Sequence, residues 1–306
     1  MWGYLSRRLA GSFAILIGIT IVTFGLTFLI PADPVRMIAG RNATAQTVEN
    51  IRQQLGLDRS VPEQYARYVM RLAQGDLGRS YVQKTQVSDL VLSRLPATLL
   101  LMAGAIFFEL LIGIPAGIFA ATRRGRPADR WIMMLSFAGV SAPQFVVGLL
   151  LLYVFSNLLS LFPMGGYGTL GHLILPALTL GIAGGGWYAR MMRSSMVDVL
   201  RQDYVRTAKA KGLGPAKVVL VHAFRNAVLP IIAMIGLDVG IFMSGAVVVE
   251  SVYGWPGIGQ LAWMGIQRID IPIIMGVTLV AAVGIVIGNL VADLIAPLID
   301  PRIRLR

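Results

Sequence analysis

The chain has 306 residues, 56% of them hydrophobic and 14% charged, which excludes an ordinary soluble domain and makes the bilayer its main solvent. The formal net charge of +12 does not indicate nucleic acid, because the Lys and Arg residues are spread over segments flanking apolar runs, where they orient a chain and meet anionic lipid. Without cysteine there is neither a disulfide nor a thiolate metal site.

Six apolar runs reach the length that a helix needs to cross a hydrocarbon core of about 30 Å. The first, Leu9 to Ile30, follows Arg7 and Arg8 and lacks a small-residue cleavage site, so it reads as an uncleaved anchor. The loop from Pro31 to Pro96 carries helical periodicity in "TAQTVENIRQQLGL" and "VPEQYARYVMRLAQG", with Pro62 placed to open the second helix. A small helical layer outside the membrane is expected there. Gly75 and Gly78 then turn the chain toward a short helix in "VSDLVLSRLPATLLL", ahead of the second span.

In the second span, Ala97 to Ala121, Glu109, Gly113 and Gly117 recur every four residues. The carboxylate shares a stripe with two glycines that permit close helix approach, which predicts a helix–helix seam. The third span, Trp131 to Leu158, is interrupted at Pro143 and Gln144. The fourth, Leu173 to Met192, is interrupted by Pro176 or loosened by Gly184, Gly185 and Gly186. In the fifth, Ala227 to Val249, Asp238 points away from a small-residue stripe of Gly236, Gly240 and Ser244, which suits a transport path and a structural role equally. In the sixth, Ile273 to Leu298, Asn289 and Asp293 sit one step around from Gly284, Gly288, Ala292 and Ala296, and Asp293 reads as structural. A carboxylate near the bilayer centre costs roughly 2.5 to 3.5 kcal/mol, so each must face protein or water. Asp238, Gln144 and Glu109 are the candidate pathway residues, although the seam position of Glu109 argues for structure.

Between the fifth and sixth spans lies "ESVYGWPGIGQLAWMGIQRIDIP". Tyr253 and Trp255, with Pro256 and Gly257, form either an interfacial aromatic anchor or a re-entrant segment lining the outer mouth, and both readings stay open. Arg268 is the one cation in the two short outer loops, so the charge bias places both termini in the cytoplasm. No G-x-x-x-x-G-K-[ST] phosphate loop is present. Two histidines are too few for a His-rich metal site or an H-E-x-x-H protease.

The segment after the fourth span is polar and basic. From Ser195 to Lys211 its periodicity predicts one amphipathic helix, capped by Ser194 or Ser195, with Met196, Val199, Leu200, Tyr204, Thr207 and Ala208 along one face. Gly212 stops it, Gly214 and Pro215 turn the chain, and a second helix runs to Phe224. Such a helix pair either lies flat on the membrane or projects as a knob that another protein grips.

"QDYVRTAKAKGL" followed by "HAFRNAVLP" resembles the E-A-A loop of permease subunits in bacterial ABC importers of the dipeptide, oligopeptide and nickel group. The pattern E-A-A-x-x-x-G falls on Arg206, Thr207, Ala208 and Gly212, with Arg in place of Glu at 206, and the following L-P on Leu229 and Pro230. "LGLDRSVPEQYARYV", "GDLGRSY", "RLPATLLL", "LILPALTLG", "GAVVVESVYGWPGIGQL" and "RIDIPIIMG" carry the same resemblance in order along the chain.

The resemblance implies an all-α, six-span type I permease fold in the bacterial inner membrane: 1–30 as cytoplasmic N-terminus and first span, 31–96 as a periplasmic helical loop, 97–298 as a five-span core holding a coupling loop at 193–226, and 299–306 as a cytoplasmic tail. It implies no enzyme and no cofactor in this chain, with ATP and Mg on two partner ATPases. Its other partners would be a homologous second permease, an extracytoplasmic solute-binding protein and membrane lipid. The ATPase-coupling residues would be Asp203, Tyr204, Arg206, Thr207, Ala208, Lys211, Gly212 and Leu213. Di- or oligopeptides are the implied cargo; nickel or another small solute, and an ion-coupled secondary transporter, are the alternatives.

Overall fold

A computed structural model describes residues 2–29, 34–39 and 43–299. Helices account for most of them, and among the described residues the only β pairing is one isolated bridge between Arg79 and Gln86. In chain order these are α1 (Trp2–Leu29), α2 (Pro34–Ala39), α3 (Ala45–Leu55), α4 (Val61–Ala73), α5 (Val87–Thr122), α6 (Pro127–Ser141), α7 (Gln144–Leu151), continued by a wider π turn over Leu152–Leu158, and α8 (Leu170–Val199). Then follow α9 (Asp203–Ala210), α10 (Pro215–Lys217), a π turn over Val218–Ala223, α11 (Phe224–Ala227), α12 (Leu229–Met243), α13 (Val247–Tyr253), α14 (Ile258–Gln267) and α15 (Ile271–Ile299).

Among the described residues, four helices, α1, α5, α8 and α15, are long and apolar enough to cross a membrane. Two bent pairs bring the total to as many as six. The α6–α7 pair bends by 101°, and Pro215–Ala227 with α12 bends by 50°. The third run is therefore two helices meeting at Ala142 and Pro143, both in extended conformation. The fifth run ends earlier than expected, at Met243, before the chain turns through Gly245 into α13. By contrast, Pro176 sits inside α8 without ending it. The short helix expected before the second span is simply the beginning of α5, whose 36 residues extend about 54 Å at 1.5 Å per residue.

The chain divides into two compact units. One comprises Met1–Thr98, Met243–Val247 and Pro256–Val286. Here α1 is tied to α4 by hydroxyl contacts, Thr20 to Tyr65 at 2.8 Å and Thr23 to Tyr68 at 3.1 Å, with Phe24 stacked on Tyr68. Val87 and Val91 of α5 pack with Ile258 and Leu261 of α14 and with Ile273 and Val277 of α15. The loop after α4 is locked by Asp270, which is 1% exposed. Its carboxylate accepts the Ser80 hydroxyl at 2.5 Å and the backbone N–H groups of Tyr81 and Val82, each at 3.1 Å. Burial, with Asp270 beside it, pushes the Tyr81 phenol up from its usual range, so the phenol stays protonated. These contacts join "GDLGRSY" to "RIDIP", two stretches 190 residues apart in sequence.

The other unit comprises Leu99–Phe242, Val248–Trp255 and Ile287–Arg306. Its centre is the α5–α8 seam. A Cβ added to Gly117 would come within 2.5 Å of the Met192 Cβ, and one added to Gly113 would collide with Tyr188. The glycine run of α8 tightens the bundle rather than loosening it: Gly184 lies against Glu109, Gly185 against Ile112 and Gly186 against the Ser136 carbonyl. Tyr188, Met192 and Met196 of α8 form a buried cluster with Ala121, Ala223, Ala227 and Ile231.

Candidate functional site

The basic segment grows out of that cluster. The chain does not form one helix from Ser195 to Lys211: α8 continues through Val199, the chain breaks, and α9 starts afresh at Asp203, with Gln202 extended at the cap position. Asp203 lies in the first turn of α9, where a carboxylate suits the positive end of the helix dipole. The Ser195 hydroxyl caps nothing; it donates to the Ala227 carbonyl at 2.8 Å, stitching the end of α8 to the entry of the next span.

Because the helix restarts, its buried face differs from the expected one. Val205 and Ala208 are buried against Val218, with Val199, Leu200 and Leu213 packed around them. Tyr204 and Thr207, assigned to the apolar face by periodicity, are exposed instead. Of the eight expected coupling residues, Asp203, Tyr204, Arg206, Thr207, Lys211 and Gly212 are exposed, Leu213 is half-buried and Ala208 is buried. Arg206 lies 3.6 Å from Asp203, and the Tyr204 hydroxyl accepts from the Asn226 amide at 2.7 Å. Gly212 has φ +77°, a left-handed conformation that needs glycine, and its N–H bonds to the Lys209 carbonyl at 3.0 Å. Pro215 then opens the return path.

The base of α8 is braced by a pair that sequence reasoning passed over. Arg193 donates to both carboxylate oxygens of Asp129, at 2.5 and 2.7 Å, while the Gly125 N–H donates to the same carboxylate at 2.9 Å. Asp129 is 3% exposed. A two-pronged guanidinium–carboxylate contact fixes direction as well as distance, so the turn between α5 and α6 and the end of α8 move together. The available signal was an acidic residue in the first turn after Pro127, with no visible partner in the sequence.

In the apolar seam, Glu109 and Asp238 are neighbours. The Tyr188 hydroxyl donates to Asp238. Glu109 is 3% exposed, and its Oε2 has no hydrogen-bond partner among the described residues. Asp238 itself is half-buried. Tyr188 went unremarked in the sequence, though it lies four residues after Gly184 and so on the same face as the glycine that abuts Glu109. Gln144 does not join this group. It opens α7 beyond the bend, exposed, and forms no hydrogen bond with Glu109 or Asp238 among the described residues. The side chain of Asp293 lies outside the described residues.

The aromatic segment is not an interfacial belt at Tyr253 and Trp255, which are 2% and 0% exposed. The Tyr253 hydroxyl meets the Thr179 hydroxyl at 2.8 Å and donates to the Gly148 carbonyl at 3.1 Å, while Trp255 meets Tyr167 edge-on at 4.9 Å. Both rings lock the chain that follows α13 into the bundle. In the other unit Gly257 is buried and Pro256 half-buried. Trp263 keeps the exposed position that an interfacial ring would need.

Two family models cover almost the whole sequence. Residues 113–305 match "Binding-protein-dependent transport system inner membrane component", and residues 1–102 match the N-terminal region of the same membrane component. The chain belongs to this family. It is an ABC importer permease subunit, and the helical architecture above is the type I permease fold in a multi-pass inner-membrane protein. The glutathione transport system permease protein GsiC of Escherichia coli strain K12 is 40% identical over 306 residues, covering 100% of both chains. The protein of the same name from Salmonella paratyphi A is 41% identical over the same span. Among solved structures, an inward-facing form of the MetNI methionine ABC transporter aligns with TM-score 0.59 at 15% identity, over 69% of this chain and 96% of that one. That likeness supports the fold. In this family of permease components, ATP hydrolysis belongs to separate subunits, and transport depends on a binding protein.

Proposed function

We propose that this permease forms half of a transmembrane pathway for small peptides handed over by a solute-binding protein, and that α9 with the Gly212 turn is where a partner ATPase grips it. The observation that carries the coupling assignment is the construction of α9. It is a two-turn helix with an exposed polar face, anchored from beneath by Val205, Ala208 and Val218, which makes it stiff enough to pass on a push. ATP-driven closure of two ATPases would move α9, and the shared cluster of Tyr188, Met196, Ala227 and Ile231 would carry that displacement into α8 and α12. Alternation between inward-open and outward-open states would follow, with a second permease supplying the other wall. ATP and Mg would act on the partner subunits.

In this reading both termini are cytoplasmic, residues 31–96 form an external layer, and Glu109, Asp238 and Tyr188 lie along the path that the helices open. Tyr253, Trp255, Pro256 and Gly257 hold the outer mouth in shape. The peptide assignment draws on the glutathione transport named for the relatives, since glutathione is a tripeptide. Membership of a binding-protein-dependent family leaves the ion-coupled alternative without support.

The test is Arg206→Glu combined with Lys211→Glu, read by co-purification of the ATPase subunits and by uptake into vesicles. Loss of ATPase retention and of ATP-driven uptake, with normal membrane insertion, is expected. Full coupling in that variant would reject the assignment. Uptake in the parent should continue when an uncoupler is added and stop when ATP is withheld.

A further inference from the structure

The first unit contains a cavity of about 1110 Å³ that the transport reading does not use. Its floor is apolar, made by Phe24 and Phe28 near the end of α1 and by Met275 and Leu279 in the first turns of α15. Both helices are long and apolar enough to span a membrane, and the cavity lies where one finishes and the other begins. The floor offers a ligand little to bind by hydrogen bonds. The Thr27 hydroxyl is spent on the Phe24 carbonyl, and that of Ser80, higher in the wall, on Asp270.

The rim is the opposite in character. Arg52, Arg67, Arg71, Arg79 and Lys84 line it, all exposed, against one carboxylate, Asp76, whose Oδ1 accepts the Gly78 N–H. Arg67 has Glu63 at 3.7 Å, shared with Arg59. Arg52 and Arg71 have no ion pair among the described residues. A single cavity thus joins apolar side chains of two apolar helices to a group of exposed cations.

We infer that this cavity binds an anionic phospholipid, its acyl chains on Phe24, Phe28, Met275 and Leu279 and its phosphate among Arg52, Arg71 and Lys84. A soluble anion would need the rim alone, and a peptide would find the amides of Gln54, Gln64 and Gln74 but leave its polar backbone unpaired against the apolar floor. Only an amphiphile uses both ends. The attraction at the rim is of the kind that draws basic segments to anionic headgroups, and the floor contributes by area buried. A bound lipid would pin α1 to α4 and α15.

Native mass spectrometry of the intact transporter in detergent, supplemented with phosphatidylglycerol, phosphatidylcholine or glycerol 3-phosphate, tests the inference. The parent should retain phosphatidylglycerol in preference to phosphatidylcholine and show no glycerol 3-phosphate adduct. Arg52→Gln with Arg71→Gln should weaken phosphatidylglycerol retention about tenfold or more, two headgroup charges being lost, while Arg52→Lys with Arg71→Lys keeps it. Met275→Trp, which fills the floor and leaves every cation in place, should weaken it as well, and decides the matter if the double Gln variant does not insert. Equal retention by parent, Met275→Trp and, where it inserts, the double Gln variant overturns the inference. Binding of glycerol 3-phosphate as strong as that of the lipid also overturns it, by showing a headgroup site only. So does a double Gln variant that loses its solute-binding protein with lipid retention intact, because the rim is then a protein-docking patch.

Discussion

Asp270 and Glu109 are both buried carboxylates, 1% and 3% exposed, yet their surroundings are built on opposite plans. Asp270 is saturated: a hydroxyl and two backbone N–H groups point at it, and all three belong to one loop. Glu109 sits in an apolar seam with Oε2 unpartnered and the Asp238 carboxyl as its neighbour. A saturated buried acceptor holds a fold together, because removing it strands every donor that it served. A half-satisfied one does little for the state in which it is seen. The first is the signature of a staple; on the transport proposed above, the second would find its partner in another conformation or in a passing ligand.

Asp270→Ala should have the largest effect, a destabilisation of about 3 kcal/mol or more, because it leaves the Ser80 hydroxyl and two N–H groups without an acceptor in a buried site. Thermal unfolding of the purified transporter, with proteolysis of the 79–86 loop, would measure it; an unchanged loop would mean that the staple is dispensable. Glu109→Gln should shift stability by no more than about 1 kcal/mol, in either direction, while slowing uptake severalfold. A stability loss as large as that of Asp270→Ala, with transport rate per folded molecule unchanged, would make Glu109 a second staple. Tyr188→Phe should cost stability about as little, roughly 1 kcal/mol for one hydrogen bond, since the ring still fills the seam, and should have the smallest effect on uptake. Uptake by Tyr188→Phe reports whether transport depends on orienting Asp238: a variant that transports like the parent would leave Glu109 alone as the candidate pathway group.

Much of this was legible in the sequence because it is local. Apolar runs of the right length gave the spans, and glycine at four-residue spacing gave the side of α5 that α8 approaches. Gly212 gave the end of α9, as only a residue without Cβ takes φ +77° without strain. The same local logic erred where two periodic segments abut. Val199 to Ala208 scans as one helix, but Asp203 favours a new helical start, so the buried face keeps the expected Ala208, gains Val205 and leaves Tyr204 and Thr207 exposed. Pro176 and Pro143 look alike in sequence; only the first is carried inside an unbroken helix.

What tertiary structure alone decided is which polar groups meet. Ser80 and Asp270 are 190 residues apart, Arg193 and Asp129 are 64, and Tyr188 and Asp238 are 50. No periodicity links such pairs, because each is created when separate helices pack and a buried charge must take whatever donor the packing brings. The sequence by itself determined that three carboxylates sit in apolar spans and that a basic helix pair leaves them. Packing decided that Asp270 is satisfied and Glu109 is not, because partner number depends on neighbours that the chain does not place side by side.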